Sequence, residues 1–469
     1  MAVRRGRAAV GGLVAACVLA LAAASAARGG EAASSAPSPA ARQPASRPAG
    51  RGRGKRAGVL AFYYVWYGTP FGPAKQWTHW GKKAPGRLAP GGTDPRRMGS
   101  EPGLREIASA AYPLIGPYDS RQREVLRWHV RLAKAAGIDA FLVSWWGPGT
   151  WQKPPGQTCK AFVEALLPVA EEEGFKVCLC DELPQFAKNF DQVVTWAGEY
   201  LERFARSPAY YRIDGQPVYY IYQLWQGRMS VADCRRLIRS VEKRVGKVYW
   251  IVDRMRCRLA ANSPNNRELY FPAAWLDVDA IDALGGYATF SNMRVHEPGD
   301  LAVLYDRLVK QAHKHGRKVL LPVHPGHDNG KFSAKPYVMP RKGGRTLRGF
   351  LAAASRAGAD LIAVTSFNEW PETTVIEPAL TWPDPYLYLR IVAEFTGARW
   401  RAPPLPPAEA LDPLIVPLLR RRLGEPPQGA EPATRRGSPR PAGRGLGDSR
   451  QNAQGSNSKP TSGSPWASA

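Results

Sequence analysis

Between residues 59 and 368 eight short apolar runs recur, separated mostly by longer segments with a helical hydrophobic period. The runs are VLAFYYVW (59–66), DAFLVSWW (139–146), FKVCLCDE (175–182), PVYYIYQ (217–223), KVYWIVD (247–253), AIDALGGY (280–287), RKVLLPV (317–323) and LIAVTSFN (361–368). They are apolar throughout rather than alternating, as a strand buried on both faces requires. Helix candidates lie between them. SRQREVLRWHVRLAKAAG starts at Ser120 as an N-cap and stops at Gly137, and TCKAFVEALLPVAEEEG, DQVVTWAGEYLERFA, SVADCRRLIRSVEKRVG, GDLAVLYDRLVKQAHKHG and TLRGFLAAASRAG follow the same style. Parallel strands joined by helices, eight times over, predict an α/β fold: a (β/α)8 TIM barrel over residues 56–400. An open doubly wound sheet is the alternative, but it usually has fewer strands, and no Gly-rich phosphate loop follows the first run.

The flanks differ in composition. Arg4, Arg5 and Arg7 precede an apolar stretch ending in the small residues Ala24, Ser25 and Ala26, the layout of a secretory signal over residues 1–27. An uncleaved anchor is the other reading of this stretch; either way export is expected (periplasmic, extracellular or held at a membrane by the N-terminal segment). Residues 28–55 and 401–469 are rich in Pro, Arg, Ser, Ala and Gly and read as a disordered linker and tail. The apolar piece LDPLIVPLL (411–419) is the exception, a segment able to dock back on the body. No second hydrophobic span follows the first, so the body is not expected to insert in a membrane.

The formal net charge of +26 raises nucleic-acid binding. The arginines are scattered, with no basic stripe interleaved with aromatics, so no nucleic-acid partner is expected. Beyond the signal stand Cys159, Cys178, Cys180, Cys234 and Cys257, an odd number without CxxC pairs. Cys178 and Cys180 alternate on one strand and read as core. His324 and His327 in HPGH lack helical spacing and a clear third ligand, so neither a metal nor any other cofactor is expected.

A barrel of this kind carries its active site at the carboxyl ends of its strands. Those ends hold Tyr64, Trp66 and Tyr67; Trp145 and Trp146; Glu182; Tyr222; Asp253; Tyr287; His324; and Asn368, Glu369, Trp370 and Glu372. Aromatic rings beside carboxylates suit a sugar, whose C–H faces stack on rings while its hydroxyls meet acids and amides. The other reading of Trp66, Trp145 and Trp146 is packing at the barrel top. Glycoside cleavage needs one group to protonate the leaving oxygen and another to act as base or nucleophile. Glu369 and Glu372 fit as that pair: their charges push their proton affinities apart. Glu377 reads as a support of the loop.

SFNEWPETTVIEP (366–378) resembles the SFNEWHEGTQIE segment of glycoside hydrolase family 99, the endo-α-mannosidases and endo-α-mannanases. AFYYVWYGTP (61–70) with His79–Trp80 is similar to that family's first strand and its downstream HW. Residues 106–149 and 207–222 are similar to further segments in the same order. The resemblance implies a (β/α)8 barrel and retention of configuration without carboxylate attack on carbon. One Glu deprotonates the sugar's own 2-hydroxyl to close a 1,2-anhydro ring, and the other protonates the departing oxygen and then activates water. On this sequence Glu369 would be the base and Glu372 the acid/base, Trp146 would pack on the sugar of the −2 subsite, and Tyr287 matches the tyrosine after the sixth strand. The chain departs from the pattern at Pro371 (His in the family), Thr373 (Gly), Val375 (Gln), CLCDELP for HIEPY and QLW for DSY.

The expectation is an exported, monomeric, endo-acting hydrolase of an oligo- or polysaccharide, directed at α-mannosides. The rivals are a glycan-binding barrel without turnover and a glycosyltransferase-like barrel of polysaccharide gene clusters.

Overall fold

The protein's structure, a computed structural model, describes residues 57–83, 89, 91–147, 157–182, 189–222, 229–259, 267–288 and 298–423. The signal, the linker to residue 56 and the tail beyond 423 lie outside them. Eight parallel strands close on themselves: β1 (Gly58–Tyr63), β2 (Ala140–Trp145), β3 (Lys176–Asp181), β4 (Gln216–Ile221), β5 (Tyr249–Asp253), β6 (Ala283–Gly285), β7 (Lys318–Val323) and β8 (Leu361–Val364). Each pairs with its successor, and β8 returns to β1 with Leu361 opposite Gly58 and Val364 opposite Ala61. The eight sequence runs are these eight strands, and the barrel is the expected one. The strands are almost wholly buried, because helices cover the outer face while side chains fill the interior. Cys178 and Cys180 are buried core thiols.

Helices Arg123–Ala135, Phe190–Phe204, Val231–Val245, Pro298–Lys314, Arg345–Ala357 and Leu387–Thr396 make most of the outer ring. The β2–β3 crossover is helical from Gln157 to Glu172, with a π-helical stretch at Ala161–Leu166. The helix after β5 shrinks to Ala273–Leu276. The first crossover helix does not start where the sequence suggested. Ser120 is not its N-cap; its hydroxyl accepts the Tyr67 N–H at 3.2 Å, and the helix begins after Gln122. The hydroxyl is turned to the loop after β1, two residues ahead of the actual cap at Gln122. Gly137 ends that helix's turn at φ 70°, as expected of a left-handed terminator.

A long excursion precedes this helix, and its described residues (64–83, 89 and 91–122) reach the loop after β8, where the Leu114 N–H donates to Pro378 O at 2.8 Å. Its turn at Gly72 allows close approach: a Cβ there would sit 2.3 Å from Asp119 Cβ. Asp119 Oδ2 accepts the Ala74 N–H at 2.7 Å, and the Trp80 indole donates to Tyr118 O at 2.8 Å. The body continues past residue 400. Helix Ile415–Leu423 packs Ile415 and Leu419 into the core, and Asp412 pairs with Arg105 at 2.6 Å. Residues 401–423 therefore dock, as LDPLIVPLL suggested, and the expected tail is shorter by that length.

Candidate active site

Three carboxylates meet at the mouth. Glu182 follows β3 directly, and Glu369 and Glu372 lie in the loop after β8. Glu369 is pushed well above the ordinary carboxylate range, first by burial and then by the charges of Glu372 and Glu182. Burial pushes Glu372 up to about 7, against a hydrogen bond from Tyr287 that favours its ionised form.

Their partners differ. Tyr287 Oη donates to Glu372 Oε2 at 2.9 Å, and Ser144 Oγ donates to Glu182 Oε1 at 2.6 Å. Glu369 is 5% exposed, and its Oε2 has no hydrogen-bond partner among the described residues. A buried carboxylate oxygen without a donor is costly. The Glu372 N–H gives the carboxyl one bond that favours its ionised form, and Oε2 is the oxygen left without a donor among the described residues.

The loop carrying these acids is tied to β1 and to the layer beneath. The Tyr64 N–H donates to Asn368 Oδ1 at 2.8 Å and Asn368 Nδ2 donates back to Tyr64 O at 2.9 Å. Tyr67 Oη donates to Asn368 O at 2.9 Å and accepts the Trp370 N–H at 3.0 Å. Below, Trp370 Nε1 and Tyr118 Oη donate to Glu377 Oε2 at 2.9 and 2.8 Å. His129 bridges Glu377 Oε1 (3.2 Å) and Tyr63 Oη (2.7 Å). A carboxylate with several donors around it fixes their directions, so Glu377 supports the loop.

Thr373 turns the loop with φ 49°. A left-handed β-branched residue costs on the order of 1 kcal/mol. Its hydroxyl offsets this by accepting the Ala110 N–H at 3.1 Å and lying 3.3 Å from Ser109 Oγ. Arg341 Nη2 then donates to Thr373 O at 2.7 Å and to Val375 O at 3.0 Å. The turn keeps a glycine-like conformation without a glycine.

Beside the acids stands an aromatic wall. Trp66 lies 4.4 Å from Tyr64 and 4.8 Å from Trp146 between ring centroids. Tyr222 meets Tyr287 edge-on at 5.5 Å, and Tyr287 meets Phe62 at 5.0 Å. The phenols of Tyr64, Tyr222 and Tyr287 are all pushed up by burial and then by the glutamates they face. The sequence-predicted residues Tyr64, Trp66, Trp146, Glu182, Tyr222, Tyr287, Glu369 and Glu372 thus gather at one mouth.

Five others do not line it. Trp145 has no exposed surface and packs edge-on against Phe162, Tyr200 and Phe204, under the helices. Successive strand residues point to opposite faces, so Trp146 goes to the mouth and Trp145 away from it. Trp370 is fully buried, with its indole N–H given to Glu377. Asn368 and Tyr67 are equally buried and spend their polar atoms on the loop. His324 is buried edge-on to Phe350, its Nδ1 3.3 Å from Thr365 O, and burial pushes it down to about 3, which keeps it neutral. A side chain without accessible surface cannot touch a sugar, so these five frame the site instead of contacting substrate.

Sequence reasoning passed over two groups as site residues. Asp253 ends β5, accepts from the Tyr287 N–H at 3.0 Å and Tyr220 Oη at 3.2 Å, and is pushed up to about 6 by burial. His79 stacks on Trp66 at 4.6 Å with the rings 5° from parallel. The HW pair was its signal, but nothing in the sequence says that the imidazole lies against Trp66.

The model described as glycosyl hydrolase family 99 matches residues 56–391. A glycoprotein endo-α-1,2-mannosidase-like protein of Danio rerio is 24% identical over 341 residues, covering 68% of this chain and 70% of that protein. The glycoprotein endo-α-1,2-mannosidase of Mus musculus is 23% identical over 337 residues, covering 68% of this chain and 67% of its own. Among solved structures, the family 99 endo-α-mannosidase of Bacteroides thetaiotaomicron in complex with Bis-Tris propane superposes with a TM-score of 0.54 at 22% identity, over 73% of this chain and 98% of that one.

Proposed function

The chain belongs to glycosyl hydrolase family 99 and is a glycoside hydrolase, and on that premise we propose that it cleaves α-mannosidic bonds inside a glycan with retention of configuration. The observation that carries the reading is the unequal treatment of Glu369 and Glu372. Glu372 already has a donor in Tyr287, whereas Glu369 Oε2 has none among the described residues. In the free protein the proton shared by this pair therefore favours Glu369. A sugar 2-hydroxyl donating to Glu369 Oε2 supplies the absent donor, favours ionised Glu369 and moves the proton preference to Glu372.

That redistribution readies both groups. Ionised Glu369 takes the 2-hydroxyl proton as O2 closes on the anomeric carbon and forms a 1,2-anhydro sugar. Glu372 gives its proton to the departing glycosidic oxygen, and then, as a carboxylate, takes a proton from the water that opens the ring while Glu369 returns its proton to O2. Trp146 and Trp66 offer rings for the neighbouring sugar to stack on. The name of the murine relative, a glycoprotein endo-α-1,2-mannosidase, supports the substrate class. The Arg-led apolar N-terminus supports action after export.

The test is incubation of the protein with α-mannans and α-mannosyl oligosaccharides, followed by product analysis and NMR of the first-formed anomer. Internal cleavage giving the α-anomer is expected, and Glu369→Gln and Glu372→Gln should each abolish it. Tight binding of the oligosaccharide without turnover by the wild-type protein would overturn the catalytic reading in favour of a glycan-binding barrel.

A further inference from the structure

We infer that His79 is a specificity-determining residue that reads a sugar hydroxyl in the part of the cleft walled by Trp66 and Trp146. The inference rests on the α-mannoside hydrolase reading and adds a residue to it. His79 adopts φ 59°, in a left-handed region that histidine visits more readily than most residues but keeps only where its surroundings hold it. The surroundings do so. The preceding Thr78 exchanges backbone bonds with Gly68 at 3.1 and 3.2 Å and gives its hydroxyl to Trp66 O at 2.9 Å. The following Trp80 is pinned through its indole to Tyr118 O at 2.8 Å.

What those ties secure is a fixed imidazole plane. The ring lies flat on Trp66, 4.6 Å between centroids and 5° from parallel, and meets Trp146 edge-on at 5.9 Å. It is partly accessible, and among the described residues its nitrogens meet no hydrogen-bond partner. Burial and the nearby Lys82 push it down to about 4, so the ring is neutral near pH 7. A neutral imidazole offers one N–H donor and one bare nitrogen acceptor. A sugar hydroxyl donates and accepts as well, so it matches either nitrogen. The ring caps one face of Trp66 and meets Trp146 edge-on, so the residue can hold a sugar edge while Trp146 holds its face.

A packing role alone would be met equally by phenylalanine, and that separates the readings. Binding of an α-mannan-derived tetrasaccharide to the full chain carrying Glu372→Gln is measured by calorimetry, with His79→Phe or His79→Asn added. Phenylalanine keeps the stacked ring and loses both polar atoms, while asparagine keeps a donor and an acceptor and loses the ring. The expected result is binding about tenfold weaker with His79→Phe, a loss of roughly one hydrogen bond to ligand, and a smaller loss with His79→Asn. Equal affinity of His79→Phe and the parent overturns the inference and leaves the hydrolase reading intact, as does a larger loss with His79→Asn than with His79→Phe, which would mark the ring and not its nitrogens as what binds. Failure of the parent to bind the tetrasaccharide overturns the α-mannoside reading itself, and this inference with it.

Discussion

Tyr287 donates its hydroxyl proton to Glu372 Oε2 at 2.9 Å. The phenol is itself held from behind: its backbone N–H goes to Asp253 Oδ2 at 3.0 Å, and its carbonyl accepts from Thr365 Oγ1 at 2.7 Å. A residue fixed at three atoms presents its hydroxyl in one direction. The bond favours ionised Glu372, opposing the burial that pushes that carboxyl up to about 7.

Tyr287→Phe removes the donor and so raises the Glu372 pKa. The alkaline limb of the kcat profile, which reports the bound complex in which Glu372 holds the proton, should move to higher pH. The measurement is a pH–rate profile of both proteins on one α-mannosyl oligosaccharide. An alkaline limb that stays put would remove Glu372 from the acid role.

The same burial couples stability to pH. Glu369 and Glu372 both have folded-state proton affinities above the ordinary carboxylate range. Their contribution to stability is present below that range and is lost as pH rises through the raised values, about 7 for Glu372. Glu369→Gln should therefore raise Tm at pH 8 by a few degrees, with little gain at pH 4. Thermal unfolding at the two pH values checks it, and an equal gain at both would contradict the burial account.

Trp145 and Trp146 are neighbours with opposite duties. Trp145→Ala should cost roughly 3–5 kcal/mol of stability, because it empties a site packed by Phe162, Tyr200 and Phe204. Trp146→Ala should cost less stability than Trp145→Ala, since its ring packs at the mouth on Trp66 and His79, and should lower kcat/KM on oligosaccharides by about tenfold through lost stacking. Denaturant unfolding and steady-state kinetics on the pair would separate the two; a reversal of the pattern would reverse their placement.

Thr373 allows a test of how the loop is held. Thr373→Val keeps the left-handed strain and loses the bond from the Ala110 N–H, so it should destabilise by about 1–2 kcal/mol. Thr373→Gly loses the same bond and relieves the strain, so it should be the milder change. Chemical unfolding should order the proteins wild type, then Gly, then Val; Val as stable as wild type would mean the hydroxyl does not hold the turn.

Much of this was written in the letters, for definite reasons. Two-face burial demands continuous apolar runs, and β2, β3 and β7 each carry one, so the barrel was legible. The acids of the site were legible because Glu369 and Glu372 follow the last such run directly. Which way a side chain points was not. Trp145 and Trp146 read alike until the pleat sends them apart, and His324 reads as a sugar contact until Phe350 and Thr365 close over it. Thr373 gives no hint of its φ, since its compensation comes from residues 109 and 110, far away in the chain.

The Arg105–Asp412 pair has a practical consequence for anyone trimming this protein. A chain stopped at residue 400 would retain all eight strands and both acids, and by strand counting would be whole. It would also lose the anchor on Arg105 and the cover that Ile415 lays over Gly116, the two ends of the stretch whose Ala110 N–H holds Thr373. The reacting loop would then rest on an unfastened hem, and a shortened enzyme could keep its fold while its turnover slackens.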